Sequence, residues 1–143
     1  MPARTAQAEW RGDLRGGNGR VRTGSGAIDR DYSFVSRFED GSGTNPEELL
    51  AAAHAACFSM ALSHGLAQAG HAPTRVATTA RAYLDKVADG FAVTRIELEC
   101  EAEVPGIAED EFRSQADAAK TGCPISKALA ATEIRLTARL VGG

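Results

Sequence analysis

Two cysteines and the residues near them are the part of this sequence best equipped for chemistry. Cys57 sits in TNPEELLAAAHAACFSMALS, residues 44–63, and Cys123 in TGCPISKAL, residues 121–129. A thiolate is a nucleophile, a redox centre and a soft metal ligand, so a pair of thiols admits any of these roles. Glu47 lies ten residues before Cys57, close to three helical turns, and His54 lies three before it. On a helix both share a face with Cys57. Cys123 is followed by Pro124, a pairing that suits a helix start, where free N–H groups favour a thiolate. A lone thiol in an apolar helix is ordinarily inert packing. What raises Cys57 above that reading is the second cysteine. His54, Cys57 and Cys123 offer three donors for a zinc ion, but no fourth ligand accompanies them.

The elements that must position these residues follow from local pattern. Thr44 and Asn45 are N-cap types, Pro46 suits the first helical position, and Glu47 and Glu48 complement the helix dipole. Leucines and alanines follow, and Gly70 and Pro73 end the run, which predicts a helix over about 45–69. Between Leu49 and Leu62 only His54 and Ser59 are polar, so this helix is expected to be buried on most of its circumference. IAEDEFRSQADAAKTG predicts an amphipathic helix ended by Gly122, and Cys123-Pro124 opens a short helix over ISKALAA. Between the long helix and these two, RVATTARAYLDKVADGFAVTRIELECEAEV reads as two strands with a hairpin at Ala88-Asp89-Gly90. Ile96, Leu98, Cys100, Ala102 and Val104 alternate with glutamates, which predicts one buried and one wet face, with Cys100 in the core. Before the long helix, RTAQAEW, RVRTGSG and YSFVSRF are strand candidates, with Arg37 closing the third, and EIRLTARLV is a last strand. Strands in blocks around helices define an α+β fold. No repeat or long linker divides the chain, so residues 1–143 are expected to form one domain.

Composition narrows the functional classes. The 143 residues carry a net charge of −3, which suggests neither a nucleic-acid nor an anionic-membrane partner. MPARTAQAEW lacks the apolar core of a signal peptide, and no run is expected to reach the roughly 20 apolar residues that span a bilayer. Three cysteines without tight spacing do not form a secreted disulfide framework. A cytoplasmic location, in a reducing compartment, is the expectation. The glycines of RGDLRGGNGR match no phosphate-loop pattern.

Taken together, TNPEELLAAAHAACFSMALS and TGCPISKAL resemble the OsmC/Ohr family, the osmotically inducible protein C and organic hydroperoxide resistance proteins. The similarity extends through AEWRGDLRGGNGRV, SRFEDG, YLDKVADGFAVTRIELE and VPGI, and these features are closer to the OsmC branch. The resemblance implies an OsmC-like α+β fold with strand blocks around a long central helix, assembled as an intertwined homodimer. It implies a thiol peroxidase that works on organic hydroperoxides, more weakly on hydrogen peroxide, with no metal or other cofactor. Carried over by motif, Cys57 in HAACFS matches the peroxidatic cysteine, Cys123 in GCPIS the resolving cysteine, and Glu47 in TNPEE the active-site glutamate. Arg37 in SRFED fits the arginine of the OsmC branch, whereas the Ohr branch places it in the first glycine-rich turn, where Arg15 or Arg20 would serve. The implied partners are a hydroperoxide and a dithiol reductant of lipoyl type, and the implied product is an intrachain Cys57–Cys123 disulfide. A peroxide-responsive redox sensor would carry the same cysteines and remains the alternative.

Overall fold

The alternation along residues 96–104 organises the larger of two sheets. The structure, a computed structural model, describes residues 2–142. Its chain divides into two units, Met1–Leu49 and Leu50–Gly143. In the second unit, β4 (Arg75–Val87) and β5 (Gly90–Glu103) form an antiparallel hairpin, and β6 (Glu133–Leu140) pairs with β5 in parallel. The hairpin closes with Val87 opposite Gly90, whose φ of 128° suits a residue without a Cβ. Ile96, Leu98, Cys100, Ala102 and Val104 are all buried, as the alternation predicts. On the other face, Glu97 pairs with Arg95, Glu99 with Arg81, and Glu101 and Glu103 with Arg75. The carboxylate row is thus a set of solvated ion pairs.

Helix α2 (Pro46–Gln68) and α3 (Glu109–Gly122) supply the remaining core residues. From α2 come Phe58, Leu62 and Leu66, with His54 one turn earlier; from α3 come Phe112, Ala116 and Ala119. The i, i+4 spacing of the α2 residues puts them in one stripe. Ser59 Oγ and Thr78 Oγ1, 2.7 Å apart, tie the helix to β4. Burial of α2 is narrower than its composition suggests. Ala52, Ala53 and Ala56 are exposed, and Met60 is 74% exposed. A second correction concerns length. By length and composition α2 is apolar enough to cross a bilayer, contrary to the expectation that no run is. A core helix has the same composition, and here its stripe of four residues faces protein.

In the first unit, β1 (Ala6–Arg11), β2 (Asn18–Thr23) and β3 (Asp29–Tyr32) form an antiparallel sheet in that order. The Trp10 and Tyr32 rings meet across it at 5.3 Å. They close over Gly19, where a Cβ would lie 2.5 Å from Tyr32 and 2.6 Å from Trp10.

The third strand expected from the sequence gives way to a helix. YSFVSRF does not continue as a strand: β3 stops at Tyr32, and Phe34–Phe38 is a short helix, α1. The reason is a capping box. Ser36 N–H donates to Ser33 Oγ at 3.1 Å, and Ser33 N–H donates to Ser36 Oγ at 2.8 Å. Two serines three apart satisfy each other's backbone more locally than a sheet edge can, and the partial apolar alternation is overridden. Arg37 is therefore a helical residue.

Candidate active site

Cys123 is held by the start of α4 (Pro124–Ala128), a one-turn helix. It is the N-cap residue, in extended conformation, with Pro124 in the first turn. Its sulfur takes the place of the usual capping oxygen: Ser126 N–H donates to Cys123 Sγ at 3.3 Å. Ser126 Oγ lies 3.2 Å from the same sulfur and, on its other side, 2.7 Å from His54 Nε2. His54, Cys123 and Ser126 are buried. Among the described residues, the other imidazole nitrogen, Nδ1, is buried without a hydrogen-bond partner. Leaving a buried polar atom unpaired costs about 1–3 kcal/mol, so this histidine is a poor choice for packing alone.

Cys57 stands one turn beyond His54 on α2 and is partly exposed. The structure brings Cys57 and Cys123 together as interacting free thiols. Their surroundings push them in opposite directions. Desolvation raises the pKa of Cys57, against a hydrogen bond from the Ile125 backbone N–H, and the neighbouring Cys123 raises it further. Desolvation also acts upward on Cys123, but the Ser126 hydroxyl, the Ser126 N–H, Cys57 and the Ile125 N–H together outweigh it, and the net shift is downward. Within the pair Cys123 is the more acidic thiol and Cys57 the more accessible one. Cys100 stays apart on β5, in the core, its pKa raised by burial.

Arg37 and Glu47 are brought together within the first unit. Arg37 Nη2 donates to Glu47 Oε1 at 2.8 Å, and Arg37 Nε donates to Oε1 at 3.1 Å and to Oε2 at 3.3 Å. This fork geometry fixes the plane of the guanidinium. The backbone behind it is fixed too: Asn45 caps α2 by accepting from Glu48 N–H at 2.7 Å, while its amide donates to Ser36 O of α1 at 2.9 Å. The alternative arginines are differently placed. Arg20 is engaged by two carboxylates, Asp29 at 2.7 Å and Asp31 at 2.8 Å, with its pKa raised by them. Arg15 lies over the Phe34 ring at 4.7 Å. Arg37 also borders an open groove of about 380 Å³ lined by Trp10, Leu14, Tyr32, Phe34 and Phe38.

Ser126 is the functional candidate that sequence reasoning missed. Its signal was present: it stands three residues after Cys123, the position whose N–H an N-cap side chain accepts. In the sequence, His54 reads as a helical neighbour of Cys57 and as a donor for a zinc ion. Among the described residues, no group of three or more His, Cys, Asp or Glu side chains is arranged to hold a metal ion. Of the apolar neighbours of Cys57, Phe58 and Leu62 are core residues, whereas Met60 is exposed.

A pair of interacting free thiols beside a long core helix, in an α+β chain, describes a cysteine-based redox protein. The family model of OsmC-like proteins matches residues 39–139. The chain belongs to the OsmC-like protein family. It is 53% identical to peroxiredoxin OsmC of Escherichia coli K12 over 135 residues, 94% of each chain. It is 32% identical to an organic hydroperoxide resistance protein of Xanthomonas axonopodis pv. citri, over 79% of this chain and 80% of that one. Among solved structures, the organic hydroperoxide resistance protein OhrB of Bacillus subtilis superposes with a TM-score of 0.69 at 26% identity, covering 95% of this chain and 97% of that one.

Proposed function

We infer that this chain is a thiol peroxidase that reduces organic hydroperoxides, and hydrogen peroxide more weakly, with Cys57 as the attacking thiol and Cys123 as the resolving one. The observation that carries the reading is the pairing of an accessible cysteine with a buried, more acidic one, in a chain 53% identical to a peroxiredoxin. Accessibility supports this order. A peroxide meets Cys57 first, because Cys123 is sealed from solvent.

The Cys57 thiolate displaces on the peroxide O–O bond, giving a sulfenic acid on Cys57 and an alcohol, or water from hydrogen peroxide. Cys123 then attacks the sulfenic sulfur; an S–S bond forms, the S–O bond breaks, and the oxygen leaves as water. An external dithiol, of lipoyl type by family resemblance, reduces the disulfide and restores both thiols. Such a cycle fits the reducing cytoplasm.

Since burial raises the pKa of the Cys57 thiol, the first step requires a cation to favour the thiolate. Arg37 is the residue proposed for that role, on the strength of the SRFED segment and its fixed pairing with Glu47. Glu47 is proposed to aim the guanidinium, and the permanent charge of an arginine suits both sulfur and peroxide.

The test is one equivalent of tert-butyl hydroperoxide added to reduced protein, followed by thiol blocking and peptide mapping. The expected product is a Cys57–Cys123 disulfide within one chain, with Cys100 still reduced. Steady consumption of peroxide should follow when a dithiol is supplied. A Cys57–Cys100 bond, a bond between two chains, or oxidation without turnover would falsify the reading.

A further inference from the structure

We propose that His54, acting through the Ser126 hydroxyl, aims a hydrogen-bond donor at Cys123 Sγ and so presents that sulfur as a thiolate to the oxidised Cys57. The proposal rests on the cycle above and assigns to it two residues with no role in the family pattern carried over from the sequence. Ser126 touches the reacting sulfur; His54 is a positioning residue.

The direction of the chain follows from the unpaired nitrogen. Nε2 of His54 is 2.7 Å from Ser126 Oγ, and Ser126 Oγ is 3.2 Å from Cys123 Sγ. Two proton arrangements are compatible with those distances. If Nδ1 carried the proton, Nε2 would accept from Ser126, and a buried N–H at Nδ1 would have no acceptor among the described residues. If Nε2 carries it, Nδ1 is left as a bare lone pair, and the hydroxyl of Ser126, accepting from the imidazole, is free to donate to Cys123. A buried donor without an acceptor is the rarer and costlier defect, so the second arrangement holds. It also requires a neutral imidazole, and burial lowers the pKa of His54. Cys123 Sγ then receives two donors from one residue, the Ser126 hydroxyl and the Ser126 N–H. His54 lies in the same buried stripe as Phe58 and Leu62, which keeps the ring in place.

The step this serves is resolution. Cys123, closed to solvent itself, gives up its proton by way of the adjacent, accessible Cys57 side beforehand. Its sulfur attacks the Cys57 sulfenic sulfur, the S–S bond forms, and the S–O bond breaks with its electron pair. Hydroxide leaves through the accessible side of Cys57 and, with the proton that Cys123 gave up, departs as water. The Cys123 sulfur is oxidised and the sulfenic sulfur reduced, with no outside reductant. The groups that act on Cys123 are Ser126, Ile125 and Cys57, and the test removes Cys57 so that Cys123 is read without its partner thiol.

In a Cys57→Ser background, thiolate absorbance in the ultraviolet reports the ionisation of Cys123. Ser126→Ala and His54→Phe should each raise its midpoint by about one pH unit, a tenfold loss of thiolate at a given pH, as expected for removing a hydrogen bond to a charged group. His54→Gln, whose amide nitrogen can reach the site of Nε2 and donate, should keep the midpoint near that of the parent. In the chain with Cys57 restored, rapid mixing with tert-butyl hydroperoxide separates Cys57 oxidation from disulfide formation. Ser126→Ala and His54→Phe should slow the second phase about tenfold relative to the first, with a sulfenic acid that a dione reagent traps. An unmoved midpoint in Ser126→Ala, equal shifts in His54→Phe and His54→Gln, or equal slowing of both phases overturns the proposal. If the midpoints shift but the unsubstituted chain forms no Cys57–Cys123 disulfide, the catalytic cycle falls and the role in resolution with it. Disulfide formation with unmoved midpoints overturns the hydrogen-bond chain alone.

Discussion

Three thiols share this chain, and their surroundings give each a different character. Cys57 is accessible with its pKa raised, Cys123 is buried with its pKa lowered, and Cys100 is buried in the core with its pKa raised. Cys57→Ser is therefore expected to abolish peroxide turnover while leaving the melting temperature close to that of the parent, since oxygen replaces sulfur in similar volume at a half-buried position. Cys100→Ser should do the reverse: turnover persists, and chemical denaturation shows a loss of about 1–3 kcal/mol from a hydroxyl placed in an apolar core. His54 adds a pH dependence whose sign is fixed by burial. Its pKa in the folded chain is below the ordinary 6.5, so on acidification the unfolded chain takes up a proton before the folded one does. Stability should fall with pH from about 6.5 down to the folded pKa, and be unaffected by this group above that window. Urea denaturation at neutral and mildly acidic pH checks this: His54→Phe should flatten the slope relative to the parent.

At the scale of elements, two very short helices do most of the positioning. The single turn α4 lets Cys123 serve as a cap, and α1 carries Arg37 to Glu47. The capping box of α1 uses Ser33 and Ser36, and Ser36 Oγ also donates to Thr44 O at 2.7 Å just before α2. Ser33→Ala removes one half of that box and should cost about 1 kcal/mol in equilibrium denaturation. Under the proposed role of Arg37, it should also slow Cys57 oxidation, because the helix that holds the guanidinium against Glu47 is loosened. Arg37→Ala sets the scale for that comparison, with an expected loss on the order of 10²-fold in the rate of Cys57 oxidation and little change in stability. Normal reactivity in Arg37→Ala, with slow reaction in Arg15→Ala or Arg20→Ala, would move the role to the glycine-rich turn.

At the scale of the molecule, α2 buries one stripe and exposes Ala52, Ala53, Ala56 and Met60. Small apolar residues in a row on a long helix are suited to close approach by another backbone. The expectation is a homodimer at micromolar concentration, in which Met60 loses exposure. Sedimentation equilibrium tests this directly, and a fully active monomer would count against it. Met60→Glu should shift the equilibrium toward monomer, since a charge cannot be buried unpaired at such a contact without a large penalty.

How much of this was legible in the sequence depended on how local the physics was. Helix α2, the hairpin and the buried face of β5 were readable because period, capping residues and breakers act within a few positions. The role of Cys123 as a cap was readable for the same reason, from Pro124 beside it. α1 was not, because a capping box made of two serines competes with a strand pattern over the same seven residues, and the alternation pointed the wrong way. The narrow burial of α2 was also hidden, since apolar composition states what a helix can bury, not what reaches it. The family, the two thiols and their likeness to a peroxidase follow from the residue types and local motifs of the sequence alone. Only the tertiary structure decided that Ser126 joins His54 to Cys123 and that one thiol is accessible while the other is acidic, because hydrogen bonds and desolvation between residues 54, 57, 123 and 126 depend on packing that spans most of the chain.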